Sequence, residues 1–235
     1  MKIIPVIDVM GGKVVQARQG DRDNYQPLQS TITSKQSPIE VISDLFALQE
    51  FSTVYIADID AITEGKLNSS LYSDISACFP TAQFLLDAGI KHKSDWDCIA
   101  DYSNIKPVIG SETLLDLSWL DDTRVKQSSI LSLDFKLGQF LGDSTLLTEQ
   151  SYWPSGIIVM NLDRVGAQSG PDIKLLAEIK LHALNNEVFA AGGVRGLDDL
   201  SELNNQNIDG VLIATALHDG RVSKEVISIF EESKK

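Results

Sequence analysis

Residues 187–200 read EVFAAGGVRGLDDL, and this stretch contains the structural unit that recurs along the chain. Residues 187–191 form a short apolar run that is typical of a buried β-strand. A Gly-Gly turn follows, and Gly196 precedes a segment, starting at Leu197, whose apolar residues recur at helical spacing. The stretch therefore predicts a strand, a tight turn and a helix, in that order.

The same order of strand and helix recurs throughout the 235 residues. Further strand-like runs lie at Ile3–Val9, Thr53–Ile59, Gln83–Asp87, Lys106–Gly110, Ser129–Phe135, Gly156–Leu162 and Gly210–Ala214, and helical patterns lie at Pro38–Phe51, Pro171–Leu184 and Leu197–Asn204. Eight strands give units of about 29 residues, and their apolar character indicates a parallel sheet covered on both faces. We predict an α/β fold, a (βα)8 TIM barrel. A doubly wound open sheet is the competing fold, but no GxGxxG motif follows the first strand.

The chain also repeats in halves. Ile56–Asp60 is similar to Val159–Asp163, and Ala88–Lys91 is similar to Gly192–Arg195, at nearly the same offset. Such a repeat predicts two half-barrels of four βα units, about 1–126 and 127–235, within one domain spanning residues 1–235. Equivalent residues of the two halves would then face each other across one mouth of the barrel.

The charge of the chain limits the classes of partner, and its cysteine content indicates the redox compartment. The chain has 20 Lys and Arg against 33 Asp and Glu, and its formal charge of -13 would repel nucleic acid and anionic membranes. Cys78 and Cys98 are the only cysteines, which predicts buried, unreactive thiols in a reducing compartment. No apolar run approaches the roughly 18 residues of a membrane span. We expect a cytoplasmic monomer or small homo-oligomer that acts on a small molecule.

Two aspartates close apolar strands at equivalent places in the two halves. Asp8 ends the first strand and Asp134 the fifth, and the active site of a TIM barrel lies at the carboxyl ends of its strands. Across one mouth, one carboxyl group could donate a proton while the other accepts one, so we predict an acid–base pair. The alternative is that both carboxylates bind neighbouring backbone. Asp58 has a similar strand-end position, and some of these residues must be structural.

The loops after the seventh and eighth strands commonly form the phosphate site of a TIM barrel. Here they contain Gly192, Gly193, Ala214 and Thr215, and glycine lets backbone N–H groups approach an anion closely. The repeat supplies a second candidate site at Gly89 and Ser111. Two such sites would suit a phosphorylated substrate with a phosphate at each end, although a Gly-Gly pair alone can be a simple turn.

Several motifs resemble those of the HisA/HisF family of histidine biosynthesis, which comprises the ProFAR isomerase and the cyclase barrel. They are Ile4–Asp8, Gly12–Val15, Gln19–Asp21, Ser132–Asp134, Ser169–Pro171 and Gly192–Val194. The match is closer to the isomerase and implies an Amadori rearrangement of an aminoaldose to an aminoketose by proton transfer, with no cofactor. It also implies that Asp8 and Asp134 are catalytic. The candidate substrate-binding residues are Gly20, Asp58, Asn161, Ser169 and Gly170.

The chain departs from this family at positions that matter for the chemistry. Val165 stands where the isomerase has a catalytic Asp, Met160 replaces a threonine, and Asp87 lies where a phosphate would approach. These changes suggest a different substrate and resemble HisA-like paralogues of methanogens and methylotrophs, which are associated with one-carbon cofactor biosynthesis. The alternatives are an authentic ProFAR isomerase with relocated catalytic groups and a non-catalytic phosphate-binding barrel. The three histidines of the chain show no metal-binding spacing.

Overall fold

The computed structural model describes residues 1–183 and 185–231, and these contain a closed barrel of parallel strands. The barrel strands are β1 (Lys2–Met10), β2 (Thr53–Asp58), β3 (Gln83–Asp87), β4 (Ile105–Gly110), β5 (Ile130–Lys136), β6 (Gly156–Asn161), β7 (Glu187–Ala191) and β8 (Gly210–Ile213). Each strand pairs in parallel with the next, and β8 pairs with β1 from Lys2 opposite Gly210 to Pro5 opposite Ile213. The β8–β1 pairing closes the sheet, which confirms the TIM barrel and excludes the open sheet.

Helices follow the strands and cover the outside of the barrel. They are α1 (Pro38–Leu48), α2 (Ile59–Glu64), α3 (Ser69–Cys78), α4 (Lys93–Ile99), α5 (Thr123–Ser128), α6 (Thr145–Thr148), α7 (Ile173–His182), α8 (Leu197–Asn205), α9 (Thr215–His218) and α10 (Lys224–Glu231). Short 3-10 helices occur at Arg22–Asn24, Gln150–Tyr152 and Leu162–Arg164. None of the described helices is both long and apolar enough to cross a membrane.

Equivalent hairpins after β1 and β5 agree with the predicted half-barrel repeat. Lys13–Gln16 turns back antiparallel to β1, and Gln139–Leu141 turns back antiparallel to β5. Both turns contain two residues with positive φ, Gly11 and Gly12 in the first and Leu137 and Gly138 in the second. Two positive φ angles match the right-handed twist of the paired strands, so each strand folds back directly beside its own carboxyl end.

Apolar residues pack on both faces of the barrel sheet. Inside, side chains such as Ile4, Leu85, Ile130 and Phe189 fill the lower barrel, as expected for a sheet whose residues alternate between faces. Outside, a larger cluster joins the sheet to the helices, and the buried indole of Trp96 in α4 donates to Ser129 Oγ at 2.7 Å. Among the described residues, the inner side chains fill the lower barrel, and open space lies at the end where the strands terminate.

Some predicted details differ from the structure. The helix expected at Pro38–Phe51 ends at Leu48, and the helix expected at Pro171–Leu184 covers Ile173–His182; Leu184 itself lies outside the described residues. The prediction of buried thiols was wrong, because Cys78 and Cys98 are both exposed on α3 and α4. These helices bury other side chains against the barrel, namely Tyr72 and Ile75 from α3 and Trp96 and Ile99 from α4.

Candidate active site

A cavity of about 110 Å³ opens at the carboxyl ends of the barrel strands. Its lower wall consists of inward-facing strand residues such as Val6, Tyr55, Ala57, Met160 and Leu212. Its upper wall consists of the loops that follow β1, β4, β6, β7 and β8. This is the end of the barrel at which we expect the active site.

Three carboxylates from alternate strands face this cavity. Asp8 lies near the end of β1, Asp87 ends β3 and Asp134 lies near the end of β5. In a barrel, inward-facing side chains from alternate strands share one layer. Ala191 at the end of β7 lines the fourth side of the cavity. Three like charges in one buried layer make protonation of at least one of them favourable near neutral pH.

Asp134 is held in place by several donors. Ser132 Oγ donates to Oδ1 at 2.6 Å, while Ser111 Oγ and the Glu112 N–H donate to Oδ2 at 3.2 and 3.1 Å. Burial and the charge of Asp87 raise the pKa of Asp134 to about 7, although the Ser132 and Glu112 bonds oppose this rise. Its carboxyl group is therefore fixed in orientation and exists in both protonation states near neutral pH.

Asp8 has a different environment. Its side chain is 9% exposed and accepts no hydrogen bond from the part of the chain that the structure describes. Burial and the nearby charge of Asp87 raise its pKa to about 7. A buried carboxyl group without a protein partner directs its oxygens at whatever occupies the cavity, which suits proton transfer to or from a ligand.

Asp87 lies between the other two carboxylates in strand order. The Tyr55 hydroxyl donates to Oδ2 at 3.1 Å, and the Gly89 N–H donates to Oδ1 at 3.1 Å. Burial raises the pKa of Asp87 to about 6, opposed by these two hydrogen bonds. From the sequence alone, Asp87 is predicted only to hinder the approach of a phosphate. Yet it shows the same signal as Asp8 and Asp134, an acidic residue closing an apolar strand.

A salt bridge spans one side of the mouth. Arg22, in the loop after β1, pairs with Glu112, in the loop after β4, at 2.5 Å. Both residues line the cavity, and Tyr25 lies beside them. Burial, reinforced by the charge of Asp8, raises the pKa of Tyr25 to about 12, so its hydroxyl stays protonated. No local sequence pattern indicates this group, because its members come from separate loops.

The predicted phosphate loop lies on the opposite side of the mouth. Gly192, Gly193, Ala214 and Thr215 all line the cavity. Gly192 and Gly193 have φ angles of 100° and 88°, and a Cβ on Gly193 would lie 2.2 Å from the Gly170 carbonyl oxygen. Only glycine fits there. The Gly193 N–H donates to no other group within residues 1–183 and 185–231, and it is available to an anion.

Of the remaining predicted residues, Gly20 belongs to the cavity lining, whereas Gly89, Ser111, Ser169 and Gly170 do not. The Gly170 N–H donates to the Gly193 carbonyl oxygen at 3.0 Å, and the Ser169 carbonyl oxygen accepts from Arg164 at 3.3 Å. Ser111 holds Asp134, and Gly89 holds Asp87. Substrate or phosphate contacts of Ser111, Gly89, Ser169 and Gly170 therefore stay predictions.

Asp58 and Asn161 act as helix caps. Asp58 accepts from the Ala61 N–H at 3.0 Å and from the Tyr72 hydroxyl at 2.6 Å. Asn161 accepts from the Asp163 N–H at 3.1 Å and donates to Asp172 at 2.9 Å. Capping of this kind satisfies the free N–H groups at the start of a helix. Their predicted contacts with substrate gain no support from these positions.

The residues that depart from the resemblance lie in the cavity itself. Met160 and Val165 both line it, so an apolar surface stands where the isomerase pattern has polar groups. Asp163 is a candidate replacement for the lost carboxylate, but its Oδ2 accepts from the Leu137 N–H at 2.6 Å, and Asp163 does not line the cavity. The cavity offers two additional carboxylates, Asp87 and Glu112, and Glu112 is paired with Arg22.

Comparisons with known proteins agree with this architecture. The family model described as "Histidine biosynthesis protein" matches residues 2–223. An uncharacterized protein of Methanocaldococcus jannaschii is 33% identical, with 97% of each chain covered. ProFAR isomerases of Streptococcus sanguinis and Methanococcoides burtonii are 26% and 27% identical, over 97% and 98% of each chain. Because the family match and the relatives span nearly the whole barrel, this chain belongs to the histidine biosynthesis protein family.

Proposed function

We propose that this chain is an enzyme that isomerises a phosphorylated aminoaldose to the aminoketose, with Asp8 and Asp134 as its acid–base pair. The observation that carries the proposal is the placement of these two buried carboxyl groups on β1 and β5, four strands apart around one cavity. Burial raises the pKa of each to about 7. Near neutral pH one group can hold a proton while the other is ionised, as general acid–base catalysis requires.

The reaction needs only proton transfers. Protonation of the sugar ring oxygen breaks its bond to C1 and leaves an iminium ion. Removal of the C2 proton then gives an enolamine with a hydroxyl group on C2. Protonation at C1 together with loss of this hydroxyl proton gives the ketose, so protons, atoms and electrons balance without an oxidant. Asp134 is fixed by Ser132 and Glu112, whereas Asp8 is open to the cavity. Together they supply a proton donor and a proton acceptor for these steps.

The loop at Gly192 and Gly193 supports the phosphorylated part of the proposal. Its backbone faces the cavity, and the Gly193 N–H has no acceptor among the described residues. Thr215 adds a hydroxyl group on the neighbouring loop. Backbone N–H groups of glycine-rich loops bind phosphate without requiring a basic side chain, which suits an acidic protein.

Steady-state turnover of ProFAR and of N-substituted ribosylamine phosphates tests this proposal. We expect Asp8→Asn and Asp134→Asn each to lower kcat by roughly 10²–10⁴-fold on the true substrate. Asp74→Asn, which makes the same change on the exposed side of α3, should leave kcat unaltered. Undiminished turnover by Asp8→Asn would refute the assigned chemistry.

An authentic ProFAR isomerase is the second candidate, favoured by the names of the relatives at 26% and 27% identity. It predicts that the gene restores growth without histidine to a strain that lacks the isomerase.

A non-catalytic phosphate-binding barrel is the third candidate, favoured by the apolar Met160 and Val165 in the cavity. It predicts that phosphosugars raise the Tm without being converted. A substrate from one-carbon cofactor biosynthesis would fit the first candidate. That substrate would be favoured if the gene fails to restore growth without histidine and the protein does not convert ProFAR.

A further inference from the structure

The loops after β3 and β7 occupy equivalent places in the two halves of the barrel. They differ in the hydrogen-bonding groups that they present to the cavity. The offset that relates Ala88–Lys91 to Gly192–Arg195 also relates Asp87 to Ala191 and Gly89 to Gly193. Both glycines have positive φ and sit close to neighbouring backbone, since an added Cβ would lie 2.6 Å from Ile62 Cα at Gly89 and 2.2 Å from Gly170 O at Gly193. The backbone is therefore alike at 89 and 193, although Gly192 has a positive φ and Ala88 does not. The side chains at 87 and 191 differ in chemistry, a carboxylate against a methyl group.

On the β7 side, the small apolar Ala191 leaves the Gly193 N–H open to a ligand. On the β3 side, Oδ1 of Asp87 accepts the Gly89 N–H at 3.1 Å, so the donor that would meet a phosphate is already used. Oδ2 of Asp87 accepts from the Tyr55 hydroxyl at 3.1 Å, and Asp87 lines the cavity. The β3 side therefore offers acceptor atoms where the β7 side offers a donor.

The charges around Asp87 reinforce this difference. Asp8, Asp134 and Glu112 line the same cavity. Among the described residues, Arg22 is the single basic side chain in the lining, and it is paired with Glu112 at 2.5 Å. A phosphate entering this side would meet carboxylates in a medium of low dielectric, where like charges repel strongly.

A second observation points to a ligand on this side. Asp8, only 9% exposed, faces the cavity without a hydrogen-bond donor among the described residues. Since no described protein group donates to it, the side chain of Asp8 is open to a donor on a ligand that fills the cavity. Asp8 and Asp87 are two strands apart and share one row of the sheet, because each pairs with Ala57 of β2.

We propose that the substrate carries a phosphate at one end and a protonated amine at the other, with the amine bound at Asp87 beside Asp8. This amine belongs to the substituent on the C1 nitrogen, because the C1 nitrogen itself must keep its lone pair to expel the ring oxygen. This inference rests on the proposed function, because it assigns the two ends of that substrate. It separates the ligand of this chain from those of the ProFAR isomerases, whose full name contains two phosphoribosyl groups. Asp87 is thus a specificity-determining residue that discriminates against a second phosphate.

Equilibrium binding tests the inference without any turnover. The probes are ω-aminoalkyl phosphates of increasing chain length, with ω-hydroxyalkyl phosphates and alkanediol bisphosphates of the same lengths, measured by isothermal titration calorimetry. At the best length, we expect the amine to bind about tenfold more tightly than the alcohol, since a charge-assisted hydrogen bond to the partly buried Asp87 is lost in the alcohol. The bisphosphate should bind more weakly than the amine.

Two variants assign the effect to Asp87. The variants are Asp87→Asn and Asp87→Ala, and the second introduces the residue found at position 191. Both should bring the ratio of amine to alcohol affinity close to one and improve binding of the bisphosphate. Asp74→Asn should retain the preference. Equal affinity of the wild type for amine and alcohol at every length, or no binding of either, would overturn the inference, as would an unchanged preference in both Asp87 variants.

The two proposals fail in different ways. These probes contain no sugar and cannot isomerise, so an amine preference that depends on Asp87 supports the inference even if no aminoaldose is converted. Conversely, turnover that depends on Asp8, with no amine preference, would leave the isomerase proposal standing and remove this inference.

Discussion

At the residue scale, the site is defined by carboxyl groups that differ mainly in their partners. Asp134 accepts from Ser132, Ser111 and Glu112, whereas Asp8 accepts from none of the described residues. Yet burial raises the pKa of both to about 7. An ionised group in such a place lowers stability, and proteins retain it where function needs it.

The pKa of Asp8 makes a prediction about stability. Burial raises this pKa from 3.8, the ordinary value for an exposed side chain, to about 7 in the folded protein. Between these pH values the folded state binds more protons than the unfolded chain, so the free energy of unfolding falls as pH rises towards about 7. Asp8→Asn removes this titration. We expect the variant to be more stable than the wild type at about pH 8, by about 1–4 kcal/mol, and to lose that advantage progressively towards about pH 4.

Thermal unfolding across this pH range, with Asp74→Asn as control, measures the effect. The control should follow the wild type at every pH, because Asp74 is exposed. A Tm difference between Asp8→Asn and the wild type that does not change with pH would show that Asp8 keeps an ordinary pKa in the folded protein.

At the residue scale the sequence was also ambiguous. The rule that strand-end polar residues belong to the site selected Asp8 and Asp134, which face the cavity, but also Asp58 and Asn161, which cap the next helical turn. Both roles need a short acceptor side chain after a strand, so residue type alone cannot separate them. No local sequence pattern predicts the Arg22–Glu112 pair, because it joins loops that are 90 residues apart.

At the scale of elements, the loop after β7 depends on backbone that only glycine adopts. A Cβ at Gly193 would meet the Gly170 carbonyl at 2.2 Å, whereas Gly138, with a φ of 70°, has nothing within 4 Å of an added Cβ. Gly138→Ala should therefore cost only the strain of a positive φ, about 1 kcal/mol. We expect Gly193→Ala to cost more than this in unfolding free energy and to weaken binding of inorganic phosphate.

Urea unfolding and phosphate titration of both variants check this prediction. The matched pair separates the strain of a positive φ from the loss of the close approach to Gly170. Equal destabilisation of the two variants would contradict the close approach of Gly193 to Gly170. Unaltered phosphate binding by a folded Gly193→Ala protein would remove the loop from the phosphate site.

Strands and helices themselves were predictable for a clear reason. Continuous apolar runs such as Gln83–Asp87 and Glu187–Ala191 were placed at their observed bounds, because strands buried on both faces tolerate few polar residues. Helix ends were less accurate, since α1 stops at Leu48 although apolar Phe51 follows nearby. Phe51 is buried outside the helix, so its apolar character did not report helical structure.

At the scale of the whole molecule, the closed barrel links the two predicted halves. Residues 1–126 contain β1 to β4, residues 127–235 contain β5 to β8, and the halves meet through the β4–β5 and β8–β1 pairings. Separation would expose two parallel strand edges on each half, which is unfavourable in water. We therefore propose that residues 1–235 form one cooperative domain.

This proposal predicts a single unfolding transition. Trp96 and Trp119 lie in the first half and Trp153 in the second, and all three are buried. Variants that keep only Trp96 or only Trp153 should report the same urea midpoint by fluorescence, and far-UV circular dichroism should coincide with both. Different midpoints for the two tryptophans would show that the half-barrels unfold independently.

The central claim is that Asp8 and Asp134 move protons on a phosphorylated aminoaldose, and isotope exchange tests it most directly. An N-alkyl ribosylamine phosphate is incubated in deuterated water with the wild type, Asp8→Asn, Asp134→Asn or Asp74→Asn, and deuterium in the ketose product is measured by mass spectrometry. We predict incorporation by the wild type and Asp74→Asn, and at least roughly 10²-fold slower incorporation by the other two. No incorporation by the wild type, or equal rates in all four proteins, would contradict the claim.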